Sequence, residues 1–191
     1  NALFPPHTTI LGMAIVEQAA GTKTIAELWR RAASREGTAY LVEGEDGWRE
    51  VSWEEATRAV DEIANGLLSL GIGKGDAAGI LGRTNLEWVL FDYALGSIGV
   101  IGAGIYPSLP PRDCAYILDH SDAVVVLVEN DEQRAKIDAE RASLPKLRHV
   151  FSFDDLDDLR AKGREFAAEN PDALEQTRSE VGEKDLFTYI Y

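Results

Sequence analysis

Hydrophobic and polar positions alternate with helical or strand-like spacing from residue 24 onward. A helix is predicted to begin at Thr24, because a glutamate follows at capping-box spacing and apolar residues recur three and four positions apart. The same signals predict a longer helix from Ser52 to about Leu70. Between them, residues 39–53 are typical of two strands joined by a tight turn, in which Asp46-Gly47 supplies the positive-φ position.

Short apolar runs alternate with helical segments in the rest of the chain. The run Val124–Val128 is typical of a strand that is covered on both faces. The stretch from Gly99 to Val128 contains a strand, a proline-marked turn, a helix and a second strand, which is the repeating unit of a parallel sheet covered by helices. The pattern therefore predicts a layered α/β fold with a mainly parallel sheet flanked by helices and an N-terminal β-hairpin. The sheet strands are expected near Ala77, Val100, Val124, Leu147 and Leu186.

Helices are predicted between these strands. The first is capped by Thr84 or Asn85 and is apolar almost all round, so it must be buried on more than one side. The second begins at Pro110-Pro111, and a third, charged helix is predicted over residues 129–142. Asn170-Pro171 interrupts the last predicted helical segment.

The chain divides into two parts by composition. Residues 1–23 are expected to be an irregular lead-in, because Pro5-Pro6 and Gly21 interrupt any long helix. Residues 24–191 are predicted to form one α/β subdomain. The apolar run of residues 10–16 is too short to span a bilayer, and neither a signal peptide nor a transmembrane segment is expected.

Charge and cysteine content narrow the classes of partner. The chain has 19 basic and 33 acidic residues, a net charge of −14, which argues against a nucleic-acid partner and allows at most peripheral membrane contact. Cys114 is the only cysteine, so an internal disulfide is excluded and a cytoplasmic location is expected. No Cys/His cluster has metal-ligand spacing, and the acidic run in residues 154–158 is interpreted as a helix start.

Two glycine-rich stretches offer alternative interpretations. Residues 71–75 could form a phosphate loop, but they follow a helix and precede a strand, which favours a helix end with Lys74 as a solvated charge. Gly102 and Gly104 could belong to a dinucleotide-binding motif, whereas no helix opens after them, which favours tight strand packing. The residues alone therefore assign no reaction, since no nucleophile and base stand at suggestive spacing among His7, His120 and His149.

A series of short motifs gives a more specific indication through its order and spacing. The motifs are Val51-Ser52-Trp53, Gly75-Asp76 through Ile80-Leu81, Asn85, Glu87-Trp88, Gly99 to Tyr106-Pro107, Pro110-Pro111, Tyr116-Ile117-Leu118 and Ser121-Asp122-Ala123. Together they resemble the N-terminal region of AMP-forming acyl-CoA synthetases, the adenylate-forming family that also contains luciferases and peptide-synthetase adenylation domains. The resemblance covers about residues 24–191, and Tyr106-Pro107 is most similar to the long-chain fatty acid-CoA ligases.

The resemblance implies a function for a larger parent protein. Such an enzyme uses ATP and Mg²⁺ to convert a fatty acid into an acyl-adenylate, releases pyrophosphate, and transfers the acyl group to CoA. In this family the phosphate loop follows a segment similar to Asp185–Tyr191, so all catalytic residues are expected beyond Tyr191. The chain is accordingly expected to be an N-terminal fragment, truncated before the phosphate loop, which is inactive and binds none of the cofactors well by itself.

The resemblance also implies one candidate binding site. Cations shortly after the strand that matches Val124–Val128 contact the CoA nucleotide in some members, which indicates Arg134 and Lys136 here. The alternative is that both belong to a solvated helix face. For the whole chain, the alternatives are a non-catalytic interaction module that reuses this subdomain and a dinucleotide-binding enzyme. A homodimer is expected if a truncated sheet leaves a free edge.

Overall fold

The computed structural model describes residues 23–44 and 47–191, so the predicted lead-in falls outside the described residues except for Lys23. The helices are α1 (Ile25–Ala33), α2 (Trp53–Ser69), α3 (Leu86–Ser97), α4 (Pro111–His120), α5 (Asp131–Ala139), α6 (Leu156–Glu169) and α7 (Ala173–Ser179). The strands are β1 (Thr38–Gly44), β2 (Gly47–Ser52), β3 (Ala77–Leu81), β4 (Ile101–Ile105), β5 (Ala123–Val128), β6 (His149–Ser152) and β7 (Thr188–Tyr189).

The predicted fold class is confirmed. Strands β1 and β2 form an antiparallel hairpin, whereas the other five strands form a parallel sheet in the order β6-β5-β3-β4-β7. In the central register, Gly79 of β3 lies between Ala103 of β4 and Val126 of β5. Gly47 at the hairpin has a φ of 119°, as the turn prediction requires, while Asp46 lies outside the described residues.

Side-chain caps place the helix starts where the sequence predicts them. Thr24 accepts a hydrogen bond from the Glu27 backbone N–H at 3.1 Å, and Ser52 accepts one from the Glu55 N–H at 3.0 Å. Asn85, rather than Thr84, caps α3 by accepting from the backbone of the residue three positions later at 3.0 Å.

Two hydrophobic layers cover the faces of the sheet. Helices α1, α2, α3, α6 and α7 pack on one face, and α4 and α5 pack on the other. Strand β5 shows the alternation directly, because Val125 and Leu127 belong to the first layer while Val126 and Val128 belong to the second. The predicted burial of β5 on both faces is therefore confirmed.

The region between β5 and β6 departs from the sequence prediction. Helix α5 ends at Ala139 instead of continuing to residue 142, and β6 begins at His149 instead of Leu147. The intervening loop is held by Arg141, whose guanidinium donates hydrogen bonds to the carbonyl oxygens of Leu144 at 2.9 Å and Leu147 at 2.5 Å. These short-range hydrogen bonds satisfy carbonyl groups of a loop that takes the place of the predicted end of the helix and start of the strand.

The glycine-rich stretch after α2 is a helix end, as predicted. Gly71 has a φ of 69° and donates to Leu68 O at 2.9 Å, while Ile72 donates to Leu67 O at 3.0 Å. The prediction that Lys74 is a solvated charge is wrong, however. Its ammonium lies 2.8 Å from the Asp185 carboxylate, because the chain segment before β7 passes the amino end of the sheet.

Candidate functional site

A cleft of about 590 Å³ opens at the carboxyl ends of β3, β4 and β7. Open α/β sheets bind their ligands at this edge, because the loops that leave the strands diverge there. The cleft combines aromatic, hydroxyl and charged side chains. Its lining residues are Gly82, Arg83, Thr84, Trp88, Asp92, Gly104, Ile105, Tyr106, Pro107, Ser108, Thr188, Tyr189, Ile190 and Tyr191.

Two glycines of β4 lie beneath the α3 side chains that line this cleft, and Gly104 itself lines it. A Cβ at Gly102 would lie 3.2 Å from Asp92 Oδ1, and one at Gly104 would lie 3.7 Å from Trp88 Cζ2. Both side chains come from α3, four residues apart on the helix, so they face the same side of β4. Small residues in the strand therefore make room for an acid and an indole from the covering helix.

This arrangement decides between the two interpretations of Gly102 and Gly104. Both glycines lie inside β4, and neither belongs to a turn that opens a helix. Their role is close packing against α3, as the sequence favours. A dinucleotide-binding motif would instead need its glycines at the turn between a strand and a helix, so the geometry does not support that alternative.

Asp92 is the ionisable group in the floor of the cleft. Burial raises the pKa of its carboxyl to about 6. The part of the chain that the structure describes offers this carboxylate no hydrogen-bond partner. An unpartnered, partly buried carboxylate is costly to keep charged, and it is available to a ligand or to a further protein segment that brings a hydrogen-bond donor.

An ion pair joins the ends of β3 and β5 at the rim. Arg83 donates from its backbone N–H to Glu129 Oε2 at 2.9 Å, and from Nε and Nη2 to Glu129 Oε1 at 2.9 and 2.6 Å. These hydrogen bonds lower the pKa of the Glu129 carboxyl. Glu129 is largely covered, whereas the Arg83 side chain is 81% exposed and presents its cationic face to the cleft.

Strand β7 and the residues after it form the remaining wall. Gly102 donates its N–H to Phe187 O at 2.9 Å, and the Thr188 hydroxyl donates to Gly102 O at 2.9 Å. Tyr191 at the end of this wall contacts α4, where its hydroxyl lies 2.9 Å from His120 Nδ1. Tyrosine side chains thus surround the opening, and Tyr106 is 72% exposed there.

The two predicted CoA contacts lie on α5, and only Lys136 reaches the loop after β4, where Pro107 lines the cleft. The Lys136 ammonium donates to the carbonyl oxygens of Pro107 at 2.5 Å and Leu109 at 3.0 Å. Arg134 donates to Val150 O at 3.3 Å and forms an ion pair with Asp155 at 2.6 Å. Both cations are thus partly buried and held by protein groups, so the simple alternative of a solvated helix face does not describe them. Their assignment to the CoA nucleotide stays a prediction.

Sequence reasoning missed Asp92 and the contact that Lys74 makes. Asp92 carries a signal that could have found it, since it is a carboxylate in the middle of a largely apolar helix whose pattern predicts burial on more than one side. Lys74 offers no such signal, because its partner lies 111 positions further along the chain.

The described residues show neither a metal cluster nor a membrane-spanning helix. No group of three or more His, Cys, Asp or Glu side chains is placed there to hold a metal ion. The acidic run is a helix start, as predicted, with Asp155 accepting from the Ser152 N–H at 2.6 Å. Among the same residues, no helix combines the length and apolar character needed to cross a bilayer.

The described residues form an α/β fold with a cleft at the carboxyl edge of its parallel sheet, and comparison with known proteins places the chain in a family. Residues 28–191 match the family described as AMP-binding enzyme, and the chain belongs to that family. The predicted resemblance is thereby confirmed.

Three comparisons define the relationship further. The chain is 30% identical over 149 residues to the long-chain-fatty-acid–CoA ligase FadD15 of Mycobacterium bovis, covering 75% of this chain and 24% of FadD15. It is 24% identical to the uncharacterized protein Rv1549 of Mycobacterium tuberculosis, covering 73% of this chain and 77% of Rv1549. The N-terminal domain of FACL13 from Mycobacterium tuberculosis shares its fold, with a TM-score of 0.65, 24% identity, and coverage of 73% of this chain and 36% of that one. The chain spans about a quarter of the FadD15 ligase.

Proposed function

We propose that the chain supplies the N-terminal α/β subdomain of an ATP-dependent long-chain fatty acyl-CoA synthetase. The observation that carries the proposal is the family match over residues 28–191 together with the 30% identity to a long-chain-fatty-acid–CoA ligase. In the proposed reaction the fatty carboxylate attacks the α-phosphorus of ATP, forming an acyl-adenylate and releasing pyrophosphate. The thiolate of CoA then attacks the acyl carbon, forming the thioester and releasing AMP.

The cleft at the carboxyl edge of the sheet is the proposed contribution of this chain to the substrate site. Its aromatic walls, including Trp88 and Tyr189, can pack an apolar or planar group, and Arg83 supplies positive charge at the rim. Because the described residues assemble no metal cluster, we assign none of them to Mg²⁺ and derive no step through it. Both nucleophiles of the proposed reaction belong to the substrates, as the fatty carboxylate and the CoA thiolate, so no described side chain is assigned a nucleophilic role.

The proposal is tested by comparing the 191-residue chain with the product of its complete reading frame. We expect the complete product to catalyse fatty-acid-dependent exchange of pyrophosphate into ATP and, with CoA, to form a thioester. The 191-residue chain should catalyse neither. Absence of both reactions from the folded complete product, over a series of fatty acid lengths, would contradict the proposed function.

A second function is a non-catalytic interaction module. It is favoured by the relationship to Rv1549, most of whose length matches this chain. A stop codon directly after Tyr191 with a monodisperse folded product that lacks ATP-dependent activity would support it over the synthetase proposal. Three further properties stay predictions. They are self-association through the free edge of β7, a cytoplasmic location and at most peripheral membrane contact. Light scattering over a concentration series tests the first of these.

A further inference from the structure

Strand β7 is weakly held by its own sheet pairing. Only Thr188 and Tyr189 pair with β4, and β7 is the last strand of the sheet on that side. A two-residue pairing at an edge contributes few hydrogen bonds, although the same strand forms one wall of the cleft. Its position therefore also depends on contacts outside the ladder, which are made after it by Tyr191 with His120 and before it by the segment that leads into it.

Lys74 makes two such contacts from the opposite end of the sheet. Its ammonium lies 2.8 Å from Asp185 Oδ2 and donates a hydrogen bond to the carbonyl oxygen of Glu180. Asp185 in turn accepts from the Gly182 N–H at 2.7 Å. The Lys74 ammonium and these hydrogen bonds lower the pKa of the Asp185 carboxyl. One cation thus closes the turn over residues 180–185 directly before β7.

Lys74 is itself fixed against the start of β4. A Cβ at Gly99 would lie 3.1 Å from Lys74 Cγ, so the lysine stem packs directly on this glycine, whose φ is 73°. The backbone beside Lys74 is held as well, because Gly75 donates to Gly99 O at 3.0 Å and Ile101 donates to Asp76 O at 2.9 Å. The ammonium therefore has a rigid base and little freedom to leave Asp185.

The contact is transmitted to the cleft along a short extended segment. Asp185 and Tyr189 are four residues apart, which corresponds to at most about 13 Å of extended chain. Phe187 lies between them and packs against α3, since a Cβ at Gly96 would come within 2.7 Å of its ring. The segment between Asp185 and Thr188 is short and held at Phe187, so a displacement of Asp185 also displaces Thr188 and Tyr189.

We propose that Lys74 is a positioning residue, which holds β7 in register with β4 and thereby fixes the wall of the cleft at the far end of the sheet. A second lysine that pairs with the same turn serves as a matched comparison for Lys74. Lys23 pairs with Glu183 at 3.1 Å, but these side chains are 69% and 53% exposed, whereas those of Lys74 and Asp185 are 37% and 33% exposed. The exposed pair contributes little to the position of the turn.

Amide hydrogen exchange of the chain tests the proposal without any assay of activity. Lys74→Met keeps the stem that packs on Gly99 and removes the charge. We expect the Gly102 amide, which donates to Phe187 O, to exchange about 5- to 10-fold faster, with the amides of β3 and β5 unchanged. Lys74→Arg should restore much of the protection, and Lys23→Met should change it by less than about twofold.

Two results would overturn the proposal. One is a hydrogen-exchange rate of the Gly102 amide in Lys74→Met that lies within about twofold of the wild-type rate. The other is an equal acceleration in β3 and β5, which would show general destabilisation instead of a local role.

A second measurement rests on the proposed function. In the complete reading frame, Lys74→Met should lower kcat/KM for pyrophosphate exchange about 3- to 10-fold at unchanged Tm, with partial rescue by Lys74→Arg. An unchanged kcat/KM would overturn the link to the substrate site. An inactive wild type would contradict the synthetase proposal. The role of Lys74 would then be decided by the amide hydrogen-exchange experiment.

Discussion

Gly163 of α6 lies directly against the backbone carbonyl of Glu62 in α2. A Cβ at Gly163 would fall far inside van der Waals distance of that oxygen and 2.9 Å from Gly66 N. Gly66 faces the other helix in the same way, since a Cβ there would lie 2.8 Å from Leu159 Cδ1. The two helices therefore cross with backbone against backbone, and Arg160 strengthens the crossing by its 2.8 Å ion pair with Glu62.

Gly163→Ala should separate these helices and destabilise the fold. Helix propensity alone would favour alanine by up to about 1 kcal/mol, but overpacking at a rigid backbone contact costs more. We expect the free energy of unfolding to fall by about 1–3 kcal/mol, measured by urea denaturation. Gly73→Ala is the control, because its nearest atom would be Leu68 Cδ2 at an ordinary 3.7 Å. Equal stability of the two variants would contradict the close crossing.

Asp92→Asn should stabilise the chain at neutral pH. The folded pKa of Asp92, about 6, lies above the ordinary value of 3.8, so its contribution to stability is full below pH 3.8 and is lost as pH rises towards 6. We expect the variant to exceed the wild type in free energy of unfolding by about 1–3 kcal/mol at pH 7.5, with the difference shrinking towards pH 4. Thermal unfolding over a pH series measures this.

Asp119→Asn is the control for this prediction, because it also removes one carboxylate but from the exposed face of α4. A gain of similar size and pH dependence in that variant would show that the effect comes from net charge instead of the buried position of Asp92.

Glu129→Gln should weaken the link between the ends of β3 and β5. The pKa of Glu129 is lowered by hydrogen bonds from Arg83, so its contribution is present above the ordinary value of 4.5 and is lost as pH falls through the folded pKa. Because Arg83 is exposed and screened, we expect a loss of only about 0.5–1.5 kcal/mol at pH 7, which disappears at acidic pH. A loss that persists unchanged at pH 3 would contradict an ionic origin.

Lys136→Met tests the predicted CoA contact in the complete reading frame. If the ammonium binds the CoA nucleotide, the KM for CoA in thioester formation should rise several-fold while pyrophosphate exchange, which needs no CoA, stays unchanged. Arg134→Met is tested in the same way. A parallel loss in both reactions would instead assign the cations to the contacts that they make here with Pro107, Leu109 and Asp155.

The sequence by itself determined the element order, the caps of α1 and α2, the parallel sheet with its hairpin, and the family. These features depend on local hydrogen bonds, on periodicity of burial and on motif order, all of which are readable within a few residues. Even β5, with its alternation between two hydrophobic layers, follows from five consecutive apolar residues.

Only the tertiary structure decided which distant groups meet. Gly102 and Gly104 accommodate Asp92 and Trp88 from another element, and Lys74 pairs with Asp185 because the chain returns to the amino end of the sheet before β7. The loop after α5 was also decided by side-chain contacts that periodicity does not report, since the Arg141 guanidinium binds the carbonyl oxygens of Leu144 and Leu147. Propensity and spacing describe one segment at a time, whereas these contacts depend on how segments are placed relative to one another.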